Sequence, residues 1–287
     1  MNWHETIESI RQDPKCADLV RLAYFDADLN LNVERFGESE EFAETLQLIT
    51  SHAPGAISIL DVGAGNGISA VSFALKGFEV TAVEPDPSAS VGANAIRTLQ
   101  QSLGLTKLTV YEKYAEQIGF EKERFDVVYV RQAMHHAYNL QEFIAECARV
   151  LKPGGLLLTV RDHVIFDAAD KAWFLVAHPL HKFYGGENAF TAAEYKQAMQ
   201  SAGLRIEKEL AFYDSVINYF PISKQEKQAM EANREQQLKT ELKRKLGPLA
   251  DVPLVAYLYK RKNSVGGALL NEREIPGRMY SYVCRKA

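Results

Sequence analysis

From about residue 56 onward, short apolar runs alternate with segments whose apolar positions recur every three to four residues. The runs 57–62, 78–85, 108–111, 125–130 and 156–160 read as strands. Phe125-Asp126-Val127-Val128-Tyr129-Val130 is almost wholly apolar, as a strand buried on both faces should be. Between the runs lie predicted helices at 67–76, stopped by Gly77, and at 88–103, closed by Gly104. A third has Asn139 as its cap and Glu142 three residues later, with Leu140, Phe143, Ile144, Cys147 and Leu151 on one face. Cys147 is therefore expected in the core. Lys152-Pro153-Gly154-Gly155 turns the chain into the fifth strand. Thr191 and Glu194 spell a second capping box, opening a helix that stops at Gly203, and strands follow near 204–212 and 279–284. Strands and helices in alternation predict an α/β fold of βαβ units around a parallel sheet.

Two segments depart from that rhythm. Residues 1–55 read as helical, with Phe42, Leu46 and Ile49 at helical spacing. They form either a helix pair covering a sheet edge or a lid over a pocket. Residues 214–277 form an insertion whose first half, Lys224 to Leu246, is a polar helix with a thin ridge of Met230, Leu238, Leu242 and Leu246. From Lys224 to Lys262 there are ten Lys/Arg against five Asp/Glu. This basic piece is either a solvated face or a contact for an anionic partner. The organisation expected is a helical cap at 1–55, a core at 56–213, the insertion at 214–277 and a last core strand at 278–287.

Composition narrows the class. With 47% hydrophobic and 24% charged residues, the 287-residue chain can bury a substantial core. A formal charge of -4 argues against a general nucleic-acid binder, so no nucleic-acid partner is expected. Cys16, Cys147 and Cys284 form no CxxC pair, which points to a reducing cytoplasm. No secretory signal opens the chain, and no apolar run approaches the roughly 20 residues of a membrane span.

The chemistry centres on Ile57-Ser58-Ile59-Leu60-Asp61-Val62-Gly63-Ala64-Gly65-Asn66-Gly67, a strand breaking into alternate glycines. A dinucleotide fingerprint would need a third glycine at position 68, which is Ile68. Glu84 ends the second strand, about 20 residues past the loop, where a carboxylate can accept from both hydroxyls of a ribose. Tyr114-Ala115-Glu116, Phe125-Asp126-Val127-Val128 and Leu151-Lys152-Pro153-Gly154-Gly155 follow in order. With Asp61-x-Gly63-x-Gly65-x-Gly67, this series resembles the successive motifs of the class I S-adenosylmethionine (SAM) dependent methyltransferases, over residues 56–163.

The resemblance implies a Rossmann-like, doubly wound seven-stranded sheet with its last strand antiparallel. It also implies SAM as methyl donor and S-adenosylhomocysteine as product. On its terms Asp61 holds the methionine amino group, and Gly63, Ala64, Gly65 and Gly67 pass the backbone beneath the cofactor. Glu84 clamps the ribose, Pro85 packs near the adenine, Ala115 and Glu116 line the adenine edge, and Arg131 lies near the methionine end. Tyr114 departs from the pattern, since many relatives place an acid there.

Ligands of open α/β sheets bind beyond the carboxyl ends of the strands. Those ends read Gln132-Ala133-Met134-His135-His136 and Arg161-Asp162-His163. A hydroxyl acceptor must lose a proton, and a histidine with a pKa near 6.5 suits that task. His136 or His163 is the expected general base, and Arg161 the expected partner of an anionic group, although either histidine could instead pack or cap. His135 joins the acceptor side. The stretch 178–188, dense in His, Tyr, Gly and Asn, adds His178, His181, Tyr184 and Asn188 as acceptor contacts or as plain loop. His163, His178, His181 and Asp162 could be arranged round a metal, but His-x-x-His without helical phase is a weak signal, and no metal ligand is assigned.

No Asn/Asp-Pro-Pro-Tyr/Phe signature follows the fourth strand, which speaks against methylation of nucleobase or glutamine amino groups. The expected function is O-methylation of a small or glycan-like polar acceptor. A metal-dependent methyltransferase using the histidines and a non-catalytic SAM-binding module are the alternatives, with a NAD-dependent oxidoreductase as fold-level competitor.

Overall fold

The computed structural model describes residues 3–184, 186–264 and 269–287. Eight strands form in chain order: β1 (Ser58–Val62), β2 (Glu79–Val83), β3 (Leu108–Tyr111), β4 (Phe125–Arg131), β5 (Leu151–Ile165), β6 (Phe190–Thr191), β7 (Leu204–Leu210) and β8 (Met279–Lys286). The sheet runs β3-β2-β1-β4-β5-β8-β7. β8 is antiparallel to both β5 and β7, while β3, β2, β1, β4 and β5 pair in parallel. The expected seven strands with an antiparallel last one are thus present. The two-residue β6, beside Val164 and Ile165 of β5, is an addition that the pattern did not predict.

Before the sheet come α1 (Trp3–Gln12), α2 (Ala17–Leu22), α3 (Leu29–Gly37) and α4 (Glu40–His52). Within it lie α5 (Ile68–Leu75), α6 (Ala93–Ser102), α7 (Leu140–Val150), α8 (Ala168–Ala177), α9 (His181–Tyr184) and α10 (Ala192–Ser201). Then α11 (Val216–Tyr219), α12 (Lys224–Leu246) and α13 (Pro253–Lys262) precede β8. Alternate strand residues feed two cores. Ile59, Val80, Val127, Tyr129 and Leu158 pack under α3, α4 and α5 through Phe36, Phe42 and Phe73. Leu60, Val62, Val128 and Val130 pack under α7 and α10 through Ile144, Cys147, Tyr195 and Met199. Period-two alternation along strands buried on both faces produces this division. Cys147 is fully buried, and burial pushes its thiol pKa up, away from reactivity.

Asp126 explains the polar residue inside the apolar fourth run. Its Oδ2 accepts from the Ile57 and Ser58 amides at 3.0 and 2.9 Å and from Ser58 Oγ at 2.8 Å; its Oδ1 accepts from Lys152 Nζ at 2.7 Å. One carboxylate fastens the starts of β1, β4 and β5 together.

Two boundaries differ from expectation. The helix predicted from 88 begins at Ala93, because the Gly92 amide bonds Ser88 O at 3.2 Å and the Ala93 amide bonds Asp86 O at 2.7 Å, which closes a turn first. β5 runs for 15 residues rather than the five predicted, because β4, β8 and β6 all supply partners. A bulge against β8 between Thr159 and Asp162 puts Arg161 at φ +60°. Bulges of this kind re-aim side chains near active sites. In the insertion α12 buries only Leu238 and Leu242, and Lys227–Glu231, Lys239–Glu235 and Lys260–Glu235 pairs engage part of its charge. Among the described residues no helix is long and apolar enough to cross a membrane.

Candidate active site

The strand order reverses between β1 and β4, which opens a crevice at their carboxyl ends. The glycine loop forms its floor. Gly63 and Gly67 sit at φ +69° and +86°, and a Cβ at either would lie 2.5 Å from Ala133 Cβ or 2.8 Å from Ile96 Cγ1. Both conformation and space require glycine there. The Gly65 amide donates to Glu84 Oε2 at 2.7 Å, and the Asp86 amide to Glu84 Oε1 at 2.9 Å. Each carboxylate oxygen keeps a second lone pair, which suits a pair of ribose hydroxyls. Burial lifts the Glu84 pKa to about 7 against the pull of those two amides.

Asp61 is fully buried at the end of β1. Its Oδ2 accepts from Ser69 Oγ at 2.7 Å, while Oδ1 has no hydrogen-bond partner. Burial raises its pKa to about 7, opposed by Ser69 and by the charge of Arg131. A buried acceptor with an unused oxygen beneath a glycine turn fits the ammonium of a SAM methionine moiety. Glu116 accepts from the Tyr138 and Asn139 amides at 2.9 and 3.4 Å, which ties the loop after β4 to the turn at 115–117. Ala115 is half-buried and Pro85 exposed.

Arg131 ends β4 and meets Glu41 of α4 in a forked pair, Nε–Oε1 2.7 Å and Nη2–Oε2 3.2 Å. Arg161 Nη1 lies 3.7 Å from the same carboxylate and donates to the carbonyls of Ile217 and Phe220 at 2.6 and 3.0 Å. Arg161, expected to meet an anionic acceptor group, thus spends Nη1 on the backbone around α11. Its buried Nε has no hydrogen-bond partner.

The histidines from three segments converge. Asp162 Oδ1 receives both the His135 amide at 3.1 Å and its Nδ1 at 2.9 Å, and Glu187 Oε2 lies 3.5 Å from Nε2. Burial disfavours charge on His135, but bonds and charge from Asp162 and Glu187 prevail and raise its pKa to about 9. His163 Nδ1 bonds the Gly277 carbonyl at 2.7 Å. Burial first, then the charges of His135 and His178, hold its pKa well below the ordinary value. His136 is exposed and has its ring 4.0 Å from that of His135; its Nδ1 lies 3.4 Å from Gly186 O. Desolvation and the neighbouring His135 charge lower its pKa, leaving the ring neutral near pH 7.

A cavity of about 530 Å³ joins these parts. Gly63, Ala64 and Gly65 wall one end, with Arg131 and Arg161 between, and His135, His136, His163 and His178 the other. Trp3, Leu19 and Phe25 of the N-terminal segment, and Tyr219 to Ile222 near α11, complete the wall. Asp61, Gly67, Glu84, Pro85, Ala115 and Glu116 lie outside that lining. His181 opens α9, and Asn188 Oδ1 accepts from Lys171 Nζ at 2.6 Å; neither lines the cavity. The side chain of Tyr184 lies outside the described residues. Sequence reasoning missed Glu187, which sits in the quoted 178–188 stretch as a carboxylate among histidines and could have been flagged there. It also missed Glu41, for which no local signal exists.

A family profile described as a methyltransferase domain matches residues 60–159. The ubiquinone biosynthesis O-methyltransferase of Rhizobium leguminosarum bv. trifolii (strain WSM2304) is 24% identical over 196 residues, 67% of this chain and 73% of its own. That of Photobacterium profundum is 32% identical over 130 residues, so this chain covers half of its length and is covered to 44%. A solved geranyl diphosphate C-methyltransferase from Streptomyces coelicolor A3(2), in complex with Mg2+, geranyl-S-thiolodiphosphate and S-adenosyl-L-homocysteine, has a TM-score of 0.56 at 12% identity. The alignment covers 85% of this chain and 76% of that one, and shows a shared fold. Motif order, sheet order and relatives agree: residues 60–159 carry a methyltransferase domain, and the chain resembles the class I SAM-dependent methyltransferases in sequence and fold.

Proposed function

We propose that the protein methylates a hydroxyl oxygen of a small polar acceptor, with His136 as the general base. The observation that carries this reading is the continuous cavity that joins the glycine loop to the histidines, so that donor and acceptor would share one space. Relatives named O-methyltransferases support the choice of oxygen.

SAM supplies a methyl group on a sulfonium, and in-line displacement moves it to the acceptor oxygen while the electron pair of the broken C–S bond stays on sulfur. For that donor, Asp61 would face the ammonium, Glu84 the ribose hydroxyls, and the 63–65 backbone would pass beneath. His136 would take the hydroxyl proton. A backbone carbonyl only accepts, so the contact with Gly186 O puts the ring proton on Nδ1 and leaves Nε2 basic. Fixing donor and acceptor in line supplies much of the rate, and the rigid strand ends suit that task.

Transfer of labelled methyl from SAM into fractionated extract finds the acceptor class. With the acceptor in hand, His136→Ala should lower kcat by about 100- to 10000-fold, with binding of S-adenosylhomocysteine unchanged. Full turnover by that variant would remove His136 as the base.

A further inference from the structure

We propose that His135, His163 and Glu187 form a binding site for a divalent transition-metal cation of the zinc, iron(II) or cobalt(II) type, with its open side toward the cavity. One ligand atom from each lies within 4.8 Å of the others, and all three side chains are buried.

The hydrogen bonds around the two rings choose the ligand atoms. The Gly277 carbonyl can only accept, so His163 carries its proton on Nδ1 and presents a bare Nε2. The Asp162 carboxylate takes the Nδ1 proton of His135, so a cation has only the proton that His135 Nε2 shares with Glu187 to displace. Metal-binding histidines almost always give their second ring N–H to a carboxylate or a backbone carbonyl, and here both partners are already in place. His135 Nε2 and Glu187 Oε2 are 3.5 Å apart. Two ligands of one ion, each about 2.1 Å from it, stand roughly 3.0–3.5 Å apart. Rotation of side chains by about 1 Å brings the widest pair within that range.

Two imidazoles and one carboxylate favour these metals over magnesium or calcium. Three protein ligands also leave coordination positions free, as catalytic sites do. His135, His163 and Glu187 all wall the cavity beside His136. Nδ1 of His178 lies 3.6 Å from Glu187 Oε1 and has no hydrogen-bond partner, so a fourth nitrogen stands within reach. The set differs from the His163, His178, His181 and Asp162 group that spacing suggested. Asp162 orients a ligand instead of being one.

In the methyl-transfer reading, on which this role rests, the cation would hold the acceptor oxygen and ease loss of its proton to His136. Metal binding itself is tested without turnover. Chelator-treated protein is titrated with Co2+ alone and with Zn2+ alone, and S-adenosylhomocysteine binding reports on the fold in parallel. We expect one equivalent bound per chain, and two paramagnetically shifted exchangeable N–H signals in the cobalt form, one from each Nδ1. Glu187→Gln and His163→Gln should each weaken the metal at least 100-fold, and Asp162→Asn about 10- to 100-fold, while S-adenosylhomocysteine still binds. No uptake of either metal at 100 times the protein concentration by wild-type protein that binds S-adenosylhomocysteine would overturn the site, as would unchanged affinity in both Gln variants. Failure of S-adenosylhomocysteine to bind wild-type protein would count against the methyltransferase reading, whatever the metal result.

Discussion

Replacing Glu41 by alanine is the sharpest test of how the N-terminal helices are held to the sheet. Glu41 is fully buried in the first turn of α4 and faces two guanidinium groups, Arg131 in a forked pair and Arg161 at 3.7 Å. Burial opposes charge on Arg131 and the Glu41 carboxylate offsets that; without Glu41 the arginine still stays charged, because a guanidinium is not deprotonated in proteins. The Arg131 guanidinium also lies over the rings of Phe36 and Tyr24 at 5.3 and 5.7 Å. Those faces attract a cation but cannot neutralise it. Removing one partner of a buried pair costs about 3–5 kcal/mol, because the other charge is left uncompensated. At about 2.1 cal/mol/K per residue, 287 residues unfold with roughly 0.6 kcal/mol/K, so Tm should fall by about 5–8 °C. Differential scanning calorimetry on Glu41→Ala, Arg131→Met and the double variant measures this. The double variant should recover much of the loss, since an apolar pair can replace a buried ion pair at little cost. A Tm loss of under about 2 °C for Glu41→Ala, or strictly additive losses in the double variant, would show that the pair does not hold the helices in place.

Three further outcomes follow from the site. Glu84→Gln should weaken S-adenosylhomocysteine by about 10- to 100-fold, since bonds to a charged acceptor contribute about 1.5–3 kcal/mol; calorimetric titration reads it, and unchanged affinity would remove the ribose clamp. Asp61 and Glu84 titrate near 7 when folded but near 4 when unfolded, so the folded state binds the extra protons between those values. Their stabilising contribution is complete below about pH 4 and is lost as pH rises through 7. The ligand-free Tm of Asp61→Asn should therefore decline less than that of the wild type from pH 5 to 8, and parallel curves would contradict the assignment. Asp126→Ala should cost about 1.5–3 kcal/mol in urea unfolding, because it removes the charged acceptor that joins the Ile57 and Ser58 amides to Lys152.

What was legible in the sequence was whatever repeats at short range. Short apolar runs, as strands buried on both faces require, placed β1, β2 and β4 within a residue or two, and the Asn139 and Thr191 caps placed α7 and α10. The glycine loop was legible because Gly63 and Gly67 answer a backbone need that no other residue meets. The helix predicted at 88 shows the limit: nothing in its apolar spacing reveals that the Asp86 carbonyl captures the Ala93 amide and delays the helix.

The acceptor side was harder, for a reason its histidines make plain. His135 and Glu187 are 52 positions apart, and His163 and Gly277 are 114 apart, so no window along the chain contains either pair. The tautomer of His163 is set by a carbonyl, which every residue has, and therefore by no letter of the sequence. Local spacing drew attention to His178 and His181 because they are neighbours in the chain. The fold instead seats His163 against His135, across the β4–β5 boundary, where the Asp162 carboxylate orients one ring and the Gly277 carbonyl the other. The chemistry available to a histidine cluster depends on which nitrogen each ring leaves bare. That is decided by a bulge in β5 and the segment before β8, both products of sheet pairing and not of any motif.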